Sequence, residues 1–154
     1  MCFVNSARIP TVYCILLAVL LLPYADGDLI FTQEPEIKLY LQEGSNAVLT
    51  WDYKVDNRTA ELNMIIWSVY NKTEKKQVNL IVEYKNGNIQ YSPIALSVYG
   101  TERLKKEGRA TLVIKDITFE DSTDYRCILR GENGIDTESI VKLIVTGNVL
   151  VYKL

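Results

Sequence analysis

Residues 111–127 read TLVIKDITFEDSTDYRC, and the fold of the chain can be predicted from this segment. Leu112 and Ile114 alternate with outward neighbours, which is the period of a strand with one buried face. The polar run at 120–122 then predicts a tight corner. Beyond it, one set of residues points inward and the other outward: Tyr125, Cys127 and Leu129 against Arg126, Ile128 and Arg130. The stretch therefore predicts two strands joined at a corner around a shared core.

The corner carries the pattern Asp-x-x-x-Tyr-x-Cys, formed by Asp121, Tyr125 and Cys127. It resembles strands E and F of an immunoglobulin V-set domain, in which the tyrosine buries its ring and bonds a backbone group upstream. The resemblance covers residues 30–146. It implies an all-β, V-type sandwich of two antiparallel sheets with Greek-key connections.

The sequence departs from the family in strand B, where Trp51 stands at the position of the first cysteine of the intersheet disulfide. That bridge would be worth about 4.5 kcal/mol in the chain-entropy model. Burying an indole contributes at most a comparable amount, about 4–6 kcal/mol. The other cysteines, Cys2 and Cys14, lie in a segment that we expect to be removed. We predict that Trp51 replaces the bridge beside Trp67, the family's core tryptophan. Cys127 is expected to be a buried thiol, with a reactive thiol or a bridge between chains as the alternatives.

The remaining alternation fits the strand order of a V-type domain. Strand D is expected to include Arg103 and Leu104, and the resemblance implies an ion pair between Arg103 and Asp121, with Arg109 as the competing partner. Asn86-Gly87 predicts a hairpin turn. The other predicted strands are A and A′ within 31–44, interrupted at Pro35, B at 47–53, C at 64–70, C′ at 78–84, C″ at 89–91, E from 111, F from 125 and G at 137–145.

Composition limits the classes of function. The 154 residues are 48% hydrophobic and 23% charged, which is typical of one globular domain. A net charge of −2 offers no basic surface for nucleic acid, and the lack of histidine excludes catalysis and zinc sites that need imidazole. The aspartates do not have the spacing of a calcium loop: Asp52, Asp56, Asp116, Asp121 and Asp124. We predict a non-enzymatic protein without a cofactor or metal.

Residues 1–27 differ from the rest of the chain. Arg8 is the only charged residue before Asp26, and the apolar run from Thr11 to Leu22 is too short to span a bilayer. The segment is therefore typical of a signal peptide that is cleaved before Asp28, an uncleaved anchor being the alternative. We predict a secreted or extracellular domain over 28–146 and a tail over 147–154, without a transmembrane segment.

Two N-glycosylation sequons are present, at Asn57 and at Asn71. Both fall in predicted loops of a chain that we expect to be exported, where an acceptor is accessible. The sequence therefore predicts a glycoprotein.

The outward residues of strands G, F, C and C′ combine isoleucine with tyrosine and arginine, a composition typical of protein interfaces. The alternatives are scattered surface residues or a strand G register that is wrong by one. The predicted interface consists of Ile66, Tyr70, Arg126, Ile128, Arg130, Ile140, Lys142 and Ile144.

These patterns predict a non-catalytic recognition module that binds another protein, either a second immunoglobulin-type domain or another copy of itself. The resemblance extends to invertebrate cell-surface recognition and allorecognition molecules whose V-set domains lack the strand B cysteine. It implies a role in cell adhesion or immune-type recognition. Alternatives are a binder that uses its loop tips and an ectodomain fragment of a longer membrane receptor.

Overall fold

A computed structural model describes residues 28–56 and 61–147. In these ranges the strands are β1 (Asp28–Gln33), β2 (Lys38–Gln42), β3 (Ala47–Asp56), β4 (Leu62–Asn71), β5 (Lys76–Tyr84), β6 (Ile89–Tyr91), β7 (Leu104–Glu107), β8 (Ala110–Ile114), β9 (Asp124–Gly131) and β10 (Asp136–Thr146). Within the described residues, two short helices, α1 (Pro93–Val98) and α2 (Gly100–Arg103), precede β7, and a 3₁₀ turn spans Phe119–Asp121. None of the helices in the described ranges is long and apolar enough to cross a membrane.

The strands form two sheets that face each other. One has four strands in the order β1-β3-β8-β7, and the other has six in the order β2-β10-β9-β4-β5-β6. The all-β sandwich predicted from the sequence is therefore confirmed. One detail needs correction: β2 runs parallel to β10, so the six-stranded sheet is not wholly antiparallel. The chain crosses between sheets after Pro35, which explains how β1 and β2 join different sheets.

The core lies between the sheets and is formed by the inward residues of the alternating strands. In the four-stranded sheet, Leu49 on β3 is the register partner of Leu112 on the neighbouring β8. In the six-stranded sheet, Trp67 on β4 is the register partner of Cys127 on the neighbouring β9. All four side chains are fully buried. The inward residues of β10 are Val141, Leu143 and Val145, all buried. The register predicted for strand G is therefore correct, and the one-residue slip is excluded.

The region before β7 is the part of the fold that the sequence did not predict. Ser92 caps α1, because its hydroxyl oxygen accepts a hydrogen bond from the backbone N–H of Ala95 at 3.1 Å, and Pro93 occupies the first turn. Ala95 and Tyr99, four residues apart, are buried and fix the helix against the sandwich. A helix of six residues is too short to give a clear periodic signal. Arg103 was predicted to lie in strand D, but it ends α2, and the strand begins one residue later at Leu104.

Candidate functional site

The corner between β8 and β9 is held by one buried carboxylate. The guanidinium of Arg103 lies 2.7 Å from the Asp121 carboxylate, which is 4% exposed and also accepts a hydrogen bond from the Thr118 backbone N–H. The same guanidinium donates to the backbone carbonyls of Lys115 and Asp116. Arg103 thus joins the start of strand D to the corner by both charge and backbone bonds.

Arg109, the competing partner considered from the sequence, lies elsewhere. Its guanidinium is 3.3 Å from the carboxylate of Asp52 and 4.0 Å from the centre of the Tyr53 ring, at the surface of the four-stranded sheet. This arrangement combines an exposed ion pair with a cation–π contact. Of the two arginines, it is Arg103 that the structure places against Asp121.

The tyrosine of the corner is part of a buried hydroxyl pair. The Tyr125 hydroxyl donates to the Asp121 backbone carbonyl at 3.1 Å and lies 3.1 Å from the Tyr99 hydroxyl. Burial raises the pKa of both phenols, and that of Tyr125 lies well above its ordinary value. Both rings therefore remain neutral and serve to connect α1, the corner and β9.

A hydrogen bond between the sheets occupies the place of the missing disulfide. The indole N–H of Trp51 on β3 donates to the hydroxyl of Ser139 on β10 at 2.9 Å, and both side chains are buried. Ser139 faces Cys127 in the register of β9 and β10. No sequence motif marks Ser139, although a serine in line with the inward Val141, Leu143 and Val145 is the signal that could have identified it.

Cys127 is the free cysteine of the described ranges, and it is fully buried. Burial raises the pKa of its thiol far above the ordinary range. A buried, protonated thiol is a poor nucleophile and is not accessible to another chain. Its environment therefore favours the structural role.

The outer face of the six-stranded sheet differs from the predicted interface at its centre. Ile66 is only 4% exposed, because it lies on a central strand with Ile128 and Val82 as neighbours in register. Ile66 is therefore not part of the exposed surface, and the predicted interface must be redrawn without it. Ile128 is half-buried, whereas Tyr70 and Ile140 are exposed.

The two arginines of the predicted interface form ion pairs with acidic residues of the same chain. Arg126 pairs with Glu138 at 2.8 Å, and Arg130 makes two hydrogen bonds to Asp136 at 2.8 and 2.6 Å. These bonds raise the pKa of Arg130 and lower that of Asp136. The middle of the face is consequently close to neutral.

Two exposed apolar side chains of this face, Tyr40 and Ile140, lie at the β2–β10 edge. Lys38 faces Lys142, and Tyr40 faces Ile144, across the parallel strand pair. Neither lysine has an ion-pair partner in the described part of the chain. We call this surface the β2–β10 patch, formed by Lys38, Tyr40, Ile140, Lys142 and Ile144. Tyr40 is 62% exposed and Ile140 44%.

The loop end of the sandwich is closed by internal ion pairs. Lys85 bonds the carboxylates of Glu61 and Glu132, which raises the pKa of the lysine, the hydrogen bond to Glu132 being the largest cause. A cavity of about 200 Å³ lies beside it, and the cations that line it are paired with acids: Lys85, Lys106 and Arg109. The predicted sequon residue Asn57 lies outside the described ranges. The cations at this cavity are thus already neutralised by acids of the same chain.

No group of three or more acidic or cysteine side chains in the described ranges is arranged to hold a metal ion. The outer face of the six-stranded sheet, with its exposed apolar side chains, is the candidate functional site.

Comparison with known proteins agrees with this architecture. The model of the immunoglobulin V-set domain matches residues 33–146. The chain is 29% identical over 154 residues to butyrophilin subfamily 1 member A1 from Mus musculus, a match that includes 91% of this chain and 28% of that protein. The chain thus spans little more than a quarter of the curated relative that it matches.

Solved structures show the same fold. Murine CEACAM1b superimposes with a TM-score of 0.53 at 17% identity, over 78% of this chain and 54% of that one. The first immunoglobulin-like domain of human CD48 antigen gives 0.53 at 16% identity, over 78% of this chain and 92% of that one.

Proposed function

This chain belongs to the immunoglobulin V-set family, and from that membership we propose that it is an extracellular, non-catalytic recognition module. It binds another protein, an immunoglobulin-type domain or a second copy of itself, through the outer face of the six-stranded sheet. Domains of this family are typically parts of receptors rather than enzymes. The observation that carries the proposal is the β2–β10 patch, where large apolar side chains surround two lysines without acidic partners.

The exposure of the patch supports a contact on this face of the sheet. Tyr40 and Ile140 leave much of their apolar surface in water, whereas Ile66 is buried. Contiguous exposed apolar surface is the usual mark of an interaction site. We therefore centre the proposed contact on β2 and β10, with Tyr70, Ile128 and the ion-paired arginines nearer its rim.

The charges of the patch indicate the chemistry of the partner. Lys38 and Lys142 lie directly opposite each other, and like charges in that relation are destabilising. A carboxylate on the partner would relieve this repulsion. Its attraction to the two lysines would become stronger as the contact excludes water. The partner surface is thus expected to combine apolar side chains with at least one acidic residue.

Sedimentation equilibrium over a concentration series tests the self-binding form of the proposal. Ile140→Arg would place a charge in the contact and is expected to weaken association at least tenfold in a folded variant. Val48→Arg is the matched control, because Val48 is 54% exposed on the opposite sheet. Equal weakening by both variants would contradict the assignment of the surface, and a monomer at every concentration would exclude self-association.

We also propose that the chain is exported and carries N-linked glycan on Asn71. The asparagine is partly exposed at the end of β4, and the turn that follows it presents Lys72 and Thr73 to solvent. An exposed sequon in a turn is accessible for modification. Mass spectrometry of the peptide that contains Asn71, from protein secreted by animal cells, tests this part.

A further inference from the structure

A groove of about 300 Å³ opens at the end of the sandwich where β4 turns into β5. Its walls come from the end of β4, from α1 and from the corner before β9. The apolar part is formed by Val69, Ile94, Val98 and Tyr99, and Glu120 and Thr123 supply polar groups at its margin. A concave, mostly apolar surface with a few polar groups is typical of a small-ligand site.

The exposed residues of α1 show that the groove has no cover from the described chain. Ala95 and Tyr99 are buried and fix the helix to the sandwich, while Val98 remains 58% exposed and faces the groove together with Ile94. Leu96 is also exposed but does not line the groove. The helix thus presents apolar side chains to an open cavity.

The sequon asparagine lies at this same cavity. Asn71 lines the groove, and its side-chain oxygen accepts hydrogen bonds from the backbone N–H groups of Thr73 at 2.9 Å and Glu74 at 3.0 Å. These two bonds restrict the orientation of the amide whose nitrogen carries a glycan. A sugar attached there begins at the edge of the apolar surface.

We propose that the groove binds the chain's own N-linked glycan, and that the first sugars attached to Asn71 pack against Ile94 and Val98. The inference rests on the proposed glycosylation of Asn71. The faces of a pyranose ring present C–H groups that gain from burial against apolar side chains. Its hydroxyl and N-acetyl groups find hydrogen-bonding partners in Glu120 and Lys72, which border the groove.

Covalent attachment is the reason for choosing this occupant. A sugar tethered at the edge of the groove has an effective local concentration on the order of millimolar, which a free saccharide would have to exceed. The groove volume lies at the lower end of the range for small-molecule sites, roughly 300–1,000 Å³. It therefore suits the core of a glycan rather than its outer branches.

The experiment uses the full chain secreted from animal cells in an Asn57→Gln background, so that Asn71 is the remaining sequon. The rate at which peptide N-glycosidase releases the glycan from native protein is measured. We expect Val98→Lys to speed release at least tenfold, because a charged side chain displaces the sugar. Leu96→Lys, a matched change on the same helix, is expected to release at the parent rate.

A second measurement does not depend on either variant. In isotopically labelled protein, nuclear Overhauser contacts are expected between the N-acetyl methyl group of the first sugar and the methyl groups of Ile94 and Val98. The proposed binding of the glycan in the groove would be overturned if the glycan is present but shows no such contacts and is released at the same rate from the parent, Val98→Lys and Leu96→Lys proteins. That result would leave the glycosylation of Asn71 itself intact. An unmodified Asn71 in the mass spectrum would overturn both.

Discussion

Trp51 and Ser139 connect the two sheets at the point where other V-set domains use a covalent bridge. Their hydrogen bond is buried, so breaking it leaves a donor without a partner in a region that water does not reach. Trp51 was identified from the sequence because it occupies a position defined by a motif. Ser139 was not, because no motif marks it and only the packing of β10 brings it to the indole.

We expect Ser139→Ala to lower the free energy of unfolding by about 1–3 kcal/mol, since the indole N–H loses its acceptor. Urea denaturation measures this change. Combined with Trp51→Phe in a double-mutant cycle, the pair should show a coupling energy of about 0.5–1.5 kcal/mol. Ser97→Ala, at an exposed position on α1, should change stability by less than about 0.5 kcal/mol. A coupling energy of zero would mean that the hydrogen bond contributes nothing.

At the scale of elements, the corner between β8 and β9 depends on a charge that the surrounding chain must neutralise. Asp121 is buried, and Arg103 at the end of α2 is its cationic partner. Removing one member of a buried pair leaves an uncompensated charge, which is more destabilising than the loss of an exposed pair. Loss of Arg103 is therefore expected to reduce the free energy of unfolding more than loss of Arg109, whose pair with Asp52 is exposed.

Arg103→Met is expected to lower the free energy of unfolding by about 3 kcal/mol, the lower end of the range for buried pairs because the arginine is partly exposed. Arg109→Met, which removes the exposed pair with Asp52, should cost less than about 1 kcal/mol apart from its contact with Tyr53. Thermal unfolding of the two variants side by side measures the difference. Equal losses of stability in the two variants would contradict the prediction that the Arg103 pair contributes more.

The strands could be predicted because alternation of apolar residues reports directly on a half-buried strand. The short helix α1 could not, because two turns carry too few residues to establish a period. Ile66 shows a different limit: alternation indicates which face a side chain is on, but not whether neighbouring strands cover that face. The grouping of Tyr40 with Ile140 and Ile144 depends on the parallel pairing of β2 with β10, which no local pattern reveals.

For the molecule as a whole, stability depends on pH through the buried thiol. Burial raises the pKa of Cys127 in the folded state above its unfolded value, so its contribution is fully present below the unfolded pKa, about 8.5, and declines as the pH rises above it. The free energy of unfolding, measured by urea denaturation between pH 8 and 9.5, should therefore fall by up to about 1.4 kcal/mol per pH unit.

Cys127→Ala is the control, because it removes the titrating group and should flatten the pH dependence. Adding a reductant at pH 7.5 should leave the midpoint of the parent protein unchanged, since the described core holds a free cysteine rather than a bridge. A midpoint that drops with reductant would reveal a covalent link that stabilises the domain.

The Trp51–Ser139 contact also has a mechanical consequence. A disulfide between residues 51 and 127 would keep the intervening segment, about 76 residues, from extending when the ends of the domain are pulled apart. At roughly 3.3–3.6 Å per residue, that segment measures about 250 Å when stretched. A hydrogen bond ruptures where a disulfide would resist, so this domain would lengthen along its entire chain under tension. It would act as an extensible link under load.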